Sequence, residues 1–315
     1  MIEHLIIAGG AIKGLPTYGM LRKSHQLGLW DFKNIKSIYG TSIGSYISVI
    51  ICLMTISKIT NEIGEEDIYD APLYNWETID DFIIKRPWDT LFKLDFHTIL
   101  KGLDERGFMQ SSLSKDAFAP ILKGLCLSVD ITMKELYDKT GIDLHIITCD
   151  LNSITSIDMS YKTHPNWRII DATYASSSLP VLFAPIIEKG KCYIDGGFLC
   201  NYPLMNCIND YQLETEEELA TIMGFRVNLD ETKQVITESS NIFDIGQIFY
   251  LKLFEKWFQQ INDNITKIPN EFIINKMENN LDSVSKSVSS SEERKKLIEC
   301  GENLILQYLT ERGQI

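Results

Sequence analysis

Within its first sixty residues the chain passes twice from a strand-like run into a helical one, with glycines at both turns. EHLIIAGG (3–10) is a short apolar run ending in glycines, and a helical pattern follows from about Leu15 to Leu27. IKSIYGTS (35–42) is the second such run, followed by a helical stretch over 43–59. Strand–helix–strand–helix in so short a span predicts a parallel α/β sheet, because parallel neighbours need a crossover between them. The apolar stretch 47–59 falls short of the roughly 20 residues that cross a bilayer, so it reads as a buried helix.

Further along, Thr132 and Glu135 form a capping box that opens a helix, and Gly141 stands where that helix should end. IDLHIITCDL (142–151) reads as a core strand, and TSIDMSYKT (155–163) alternates well enough to pair with it. DATYASSSLP (171–180) is a short helix broken at Pro180, KCYIDGG (191–197) a strand running into a glycine turn, and LATIMGFRV (219–227) another strand. Residues 60–110, acidic and then aromatic-rich, are expected to cover a sheet edge or the mouth of a site. Beyond about 235, helical stretches over 242–266 and 292–311 flank a Ser-rich segment, 283–293, that reads as a mobile loop. The expected division is a catalytic unit over 1–235 and a helical extension over 236–315, packed on or beside it.

A net charge of −13 argues against a nucleic-acid partner, since a polyanion is bound by clustered Lys and Arg. The charge is uneven, with six basic groups against two acidic ones in residues 1–60. Seven cysteines without a C-x-x-C pair read as reduced and mostly buried thiols, and neither they nor the histidines show zinc-ligand spacing. With no basic segment before the first apolar run, neither a signal peptide nor a transmembrane helix is expected. The expected setting is intracellular, soluble or peripheral to a membrane.

Three glycine turns each follow a strand: AGGAIKG (8–14), GTSIG (40–44) and DGG (195–197). The first is not a Walker A loop, because Gly14 stands after Lys13 where Ser or Thr is required. Nor is it a dinucleotide fingerprint, because Ala11 breaks the glycine register. What remains is a helix start rich in unhindered backbone N–H groups, which suits an anion. GTSIG has the form of a nucleophile elbow, with Ser42 strained between Gly40 and Gly44. A serine nucleophile needs a base, yet none of the five histidines (His4, His25, His97, His145, His164) follows residue 164, where a hydrolase triad would place one. Asp195 fits better. Ending a strand of a parallel sheet, it should emerge on the same edge as Ser42, and Gly196 and Gly197 leave room for a hydroxyl.

Taken in order, these three turns resemble the patatin-like phospholipase family. ASSSLPVLFAPI (175–186) and KELYDKTGIDLHIITCDLN (134–152) resemble further stretches of it, so the likeness spans about residues 4–230. It implies a modified α/β-hydrolase sandwich with a mostly parallel central sheet and a C-terminal helical extension. It also implies acyl-ester hydrolysis of phospholipid or another lipid, with transient membrane contact and without metal or cofactor. By position, Ser42 matches the nucleophile and Asp195 its partner in a Ser–Asp dyad. Gly9, Gly10 and Ala11, with the Ile43 amide, match the oxyanion hole, and Lys13 the basic residue of the loop. Alanine at 11 departs from a third glycine and does not readily take positive φ. A non-catalytic lipid-binding protein of the same fold and an acyltransferase stay open as alternatives.

Overall fold

Both early strand–helix passages are present in the computed structural model. It describes residues 1–60, 66–68, 72–90, 112–180, 182–228, 266–275 and 281–313, with scattered positions between 235 and 256. The strands are β1 (His4–Ile7), β2 (Ser37–Thr41), β3 (Lys58–Thr60), β4 (Glu66–Ile68), β5 (Asp143–Asp150), β6 (Thr155–Met159), β7 (Ile186–Glu188), β8 (Lys191–Asp195), β9 (Ile222–Val227) and β10 (Asn270–Ile274). Helices are α1 (Gly14–Gln26), α2 (Ile43–Met54), α3 (Trp76–Lys85), α4 (Ser112–Gly124) and α5 (Met133–Thr140). They continue with α6 (Ile169–Ser176), α7 (Leu204–Tyr211), α8 (Glu216–Leu219), α9 (Leu281–Ser289) and α10 (Ser291–Glu311).

The main sheet runs β10-β9-β1-β2-β5-β8-β7, with β6 also paired to β5, while β3 and β4 form a separate hairpin. β10, β9, β1, β2 and β5 are parallel, and β6 and β8 run antiparallel to β5. β1 and β2 are buried at every position, as parallel strands covered on both faces should be. The capping box of α5 forms as expected, and Gly141 closes that helix at φ 69.

Two parts of the C-terminal third differ from the sequence reading. NEFII (270–274) becomes β10 and extends the same sheet beside β9, so the stretch after 235 contributes a strand as well as helices. The serine-rich segment expected as a mobile loop is helix α9 followed directly by α10, with the Ser290 hydroxyl capping the second. The cause is Arg294, buried on α10, which donates to the closing carbonyls of α9 at Ser287 and Val288 (both 2.8 Å) and to Ile84 (2.6 Å) on α3. One buried guanidinium so stitches three helices together, using the fork of donors that only Arg offers.

α10 lies against α1. A Cβ on Gly19 would collide with the Ile298 carbonyl, and one on Gly301 with the Pro16 carbonyl, so the backbones touch where α1 leaves the first glycine loop. Most of residues 60–110 falls outside the described residues. Within the described part, α3 packs on α1 and α10, with Tyr18 donating to Asp80 (2.7 Å).

Candidate active site

β5 is the longest strand among the described residues, and its length builds the site. Along one side it pairs first with β2, up to Thr41 opposite Ile147, and then with β8, from Asp195 opposite Thr148. β2 and β8 therefore meet head-on against one neighbour, each ending at the other. Asp195 reaches Ser42 because its strand returns from beyond the sheet edge. It does not emerge from that edge as part of a parallel strand, which corrects the direction read from the sequence.

Ser42 sits at φ 53, ψ −126, between the end of β2 and the start of α2. The glycines around it are required by contact. A Cβ on Gly40 would strike Ser48 and the Gly44 carbonyl, and one on Gly44 would strike the Ile7 carbonyl of β1. A Cβ on Gly14 would meet the Ile43 side chain, and one on Gly196 the Ile147 carbonyl, so the three turns nest into one another. Segment 175–178 braces both key residues. The Ser42 N–H donates to Ser176 Oγ (2.8 Å), whose hydroxyl donates to the Ile147 carbonyl (2.6 Å), and the Asp195 N–H donates to the Ser178 carbonyl (3.0 Å).

The Asp195 carboxylate is buried and accepts from the Gly197 N–H (2.7 Å), and the Ser42 hydroxyl lies close enough to favour its charged form. Burial raises its pKa to about 6, with the Gly197 N–H and the nearby Ser42 hydroxyl pulling against the rise. A carboxylate so placed is a stronger base than one in water.

The first glycine loop lies over the elbow. Ala11 takes φ 48, so this position does use the left-handed region and the alanine occupies it. The Gly9 N–H is already committed, donating to the Asn201 carbonyl (3.3 Å). Gly10 and Ala11 open the short 3-10 turn before α1, and Ile43 is the first residue of α2, where helix amides lack an intrahelical acceptor. Lys13 reaches from the loop to the end of β9. It is fully buried, and its Nζ donates to the Asn228 carbonyl just past β9 (2.7 Å).

Asn201 escaped the sequence reading. Its Nδ2 donates to the Gly9 carbonyl (3.1 Å), and its Oδ1 fills the space where side chains on Gly9 and Gly197 would stand. One amide thus locks the first loop to the DGG turn. The only signal for it was a polar residue four positions after a glycine turn.

None of the described histidines is drawn into this arrangement. His145 lies on β5, paired with Tyr39 and three residues back from the level of the elbow, about 10 Å. Its ring stacks on Tyr39, Nδ1 bonds Asp158 Oδ1 (2.8 Å), and Nε2 lies 3.1 Å from Asp143 Oδ1. Burial opposes its charge, but Asp143 and Asp158 outweigh it and push the pKa to about 9. Among the described residues, His145, Asp158 and Asp210 are the trio whose ligand atoms gather within 4.8 Å. His164 meets Thr163 and Trp167. His4 bonds Ser37 (2.7 Å), and His25 packs among Trp30, Phe32 and Trp76. His97 lies outside the described residues.

A mostly parallel α/β sheet that presents a strained serine at a strand-to-helix elbow is an architecture shared by acyl hydrolases. Within that class this chain belongs to the patatin-like phospholipase family, whose sequence model matches residues 5–208. It is 25% identical over 238 residues to a probable lipid hydrolase of invertebrate iridescent virus 6, covering 74% of this chain and 73% of that one. It is also 23% identical over 309 residues to an uncharacterized protein of Acanthamoeba polyphaga mimivirus, covering 98% and 94% respectively. Among solved structures it is similar to VipD of Legionella pneumophila, with a TM-score of 0.43 and 15% identity, covering 95% of this chain and 67% of that one. The type III effector ExoU of Pseudomonas aeruginosa gives a TM-score of 0.38 at 11% identity, covering 97% and 52%.

Proposed function

We propose that the chain is a lipid acyl hydrolase of phospholipase A type that works through Ser42 and Asp195. The observation that carries the reading is the meeting of β2 and β8 on β5, which sets the buried Asp195 carboxylate, with a pKa of about 6, beside the elbow serine. Near neutrality Asp195 is ionised and accepts the Ser42 proton as Oγ adds to the ester carbonyl. The resulting oxyanion faces the Gly10, Ala11 and Ile43 amides, each such donor being worth roughly 3–4 kcal/mol in the transition state. Collapse breaks the ester C–O bond, the alkoxide leaves with the proton from Asp195, and the acyl group stays on Ser42. Water then adds, giving its proton to Asp195, and that proton returns to Ser42 as the fatty acid departs.

The family match supports lipid as the substrate class. The test is labelling with a fluorophosphonate followed by peptide mapping. Label should fall on Ser42 alone, leaving Ser176, Ser177 and Ser178 untouched, and disappear in Ser42→Ala. A folded chain that never takes label would make it a lipid-binding protein of this fold instead.

A further inference from the structure

The sheet continues outward past Ser42. β5 extends through Thr148–Asp150 beyond the end of β2, flanked by β6 and β8, with β7 on the outer side of β8. The outermost points are the turns at 151–154 and 189–190, on the edge of the sheet that carries Ser42. They are tied into one body. Asn152 Nδ2 donates to the Gly190 carbonyl (2.9 Å), the Leu151 N–H to the Cys192 carbonyl (2.8 Å), and the Cys192 N–H to Asp150 Oδ1 (3.0 Å).

This rim displays apolar side chains. Leu151 is 43% exposed, Ile154 58% and Ile187 51%. Ile154 also holds φ 52, a conformation that a β-branched residue rarely adopts and that gains no burial here. Under the rim lies a second hydrophobic cluster, separate from the main core. It consists of Cys149, Cys192 and Ile194, with Phe198 and Leu199 half-buried against it. Phe198 and Leu199 directly follow the Asp195-Gly196-Gly197 turn, so apolar surface runs from the rim to the catalytic loop. Lys189 and Lys191 stand exposed among these side chains, Lys189 beside Glu188 (3.2 Å).

The mixture decides the occupant. Lysine is depleted in the cores of protein–protein interfaces. At the boundary between acyl chains and headgroups it fits well, its stem lying along apolar surface and its ammonium reaching phosphate. Of the six basic groups in residues 1–60, Lys13 is buried, and Arg22, Lys36 and Lys58 are paired with acidic side chains at Asp80 and Glu302, Glu3 and Glu66. We propose that the paired tips 151–154 and 186–191 are the lipid-docking surface, seating the chain on a bilayer with the Ser42 edge facing it. This rests on the lipid hydrolase reading above.

The test uses the full chain carrying Ser42→Ala, so that binding is read without turnover, in flotation with phosphatidylcholine–phosphatidylserine vesicles. Leu151→Ser/Ile154→Ser/Ile187→Ser should weaken partitioning about tenfold or more while the thermal midpoint holds, since all three side chains are largely exposed. Ile154→Asn, which tolerates the left-handed backbone, guards against misfolding and should weaken binding severalfold. With Ser42 restored, the triple variant should lose hydrolysis of vesicle lipid by a similar factor and keep that of a soluble short-chain ester. Partitioning equal to the parent would overturn the proposal, as would an unchanged partition accompanied by loss of self-association in gel filtration. If the parent hydrolyses no ester at all, the catalytic reading fails while the vesicle arm still decides this one.

Discussion

Burial of Asp195 opposes its ionisation, so the base of the proposed dyad carries a stability cost. Its folded pKa of about 6 lies above the usual 3.8, so the stability from a neutral carboxyl is fully present below pH 3.8 and lost as pH rises through 6. Asp195→Asn escapes that loss and can keep the acceptor for the Gly197 N–H. Its thermal midpoint at pH 8 should rise, by up to about 3 kcal/mol in stability, while turnover falls by orders of magnitude. In the parent, turnover should climb once, through about pH 6, as the base ionises. Ala11 permits a second test at this scale. Glycine in place of alanine normally lowers stability by roughly 0.5–1 kcal/mol, but relief of left-handed strain returns roughly 1–2 kcal/mol. Ala11→Gly should therefore melt no lower than the parent and keep its activity, as calorimetry and a soluble-ester assay would show. Ser42, Asp195 and the glycines were legible because turns that sharp restrict side-chain size. Asn201 and Ser176 were not, since an amide or hydroxyl bridging distant loops leaves no local pattern.

The elements tell a similar story. β1, β2, β5 and α5 were readable from apolar runs and caps, whereas the antiparallel direction of β8 is set by pairing alone. β10 was hidden because five residues on the sheet edge carry little pattern. His145 shows how an element is held from beneath. Its imidazolium, paired with Asp143 on β5 and Asp158 on β6 and near Asp210 on α7, links these three elements. The folded pKa of about 9 exceeds the ordinary 6.5, so this contribution is complete below pH 6.5 and disappears as pH rises through 9. It is on the order of 3 kcal/mol. His145→Gln should be markedly destabilised at pH 6, with the gap to the parent narrowing towards pH 10 in urea titrations. Soluble-ester turnover at neutral pH should stay near that of the parent, because the ring lies well behind the elbow. Loss of turnover in a folded His145→Gln chain would mean that a histidine serves Ser42 after all.

At the scale of the whole molecule, the question is whether the C-terminal region can be removed. β10 covers the edge of β9, the strand whose Val227 packs against Gly10, and α10 lies backbone-to-backbone on α1, which begins where the first glycine loop ends. The first glycine loop is thus supported from two sides by residues that a boundary at 235 would discard. Phe272, Ile274, Ile298, Ile305 and Leu309 are all buried. At roughly 1.5–3 kcal/mol each they amount to as much as the entire 5–15 kcal/mol by which a typical domain is stable. A chain ended after residue 235 should therefore fail to fold cooperatively and take no fluorophosphonate label, whereas the full chain should melt in a single transition. A soluble 1–235 fragment that melts cooperatively and labels at Ser42 would show that the strand and helices beyond it are an accessory layer. The coupling runs through close backbone contact, so a point change should reproduce part of the effect. Gly301→Ala drives a methyl into the Pro16 carbonyl and should lower stability by about 1–3 kcal/mol. Because α1 carries the loop, its soluble-ester kcat should fall as well, with KM little changed.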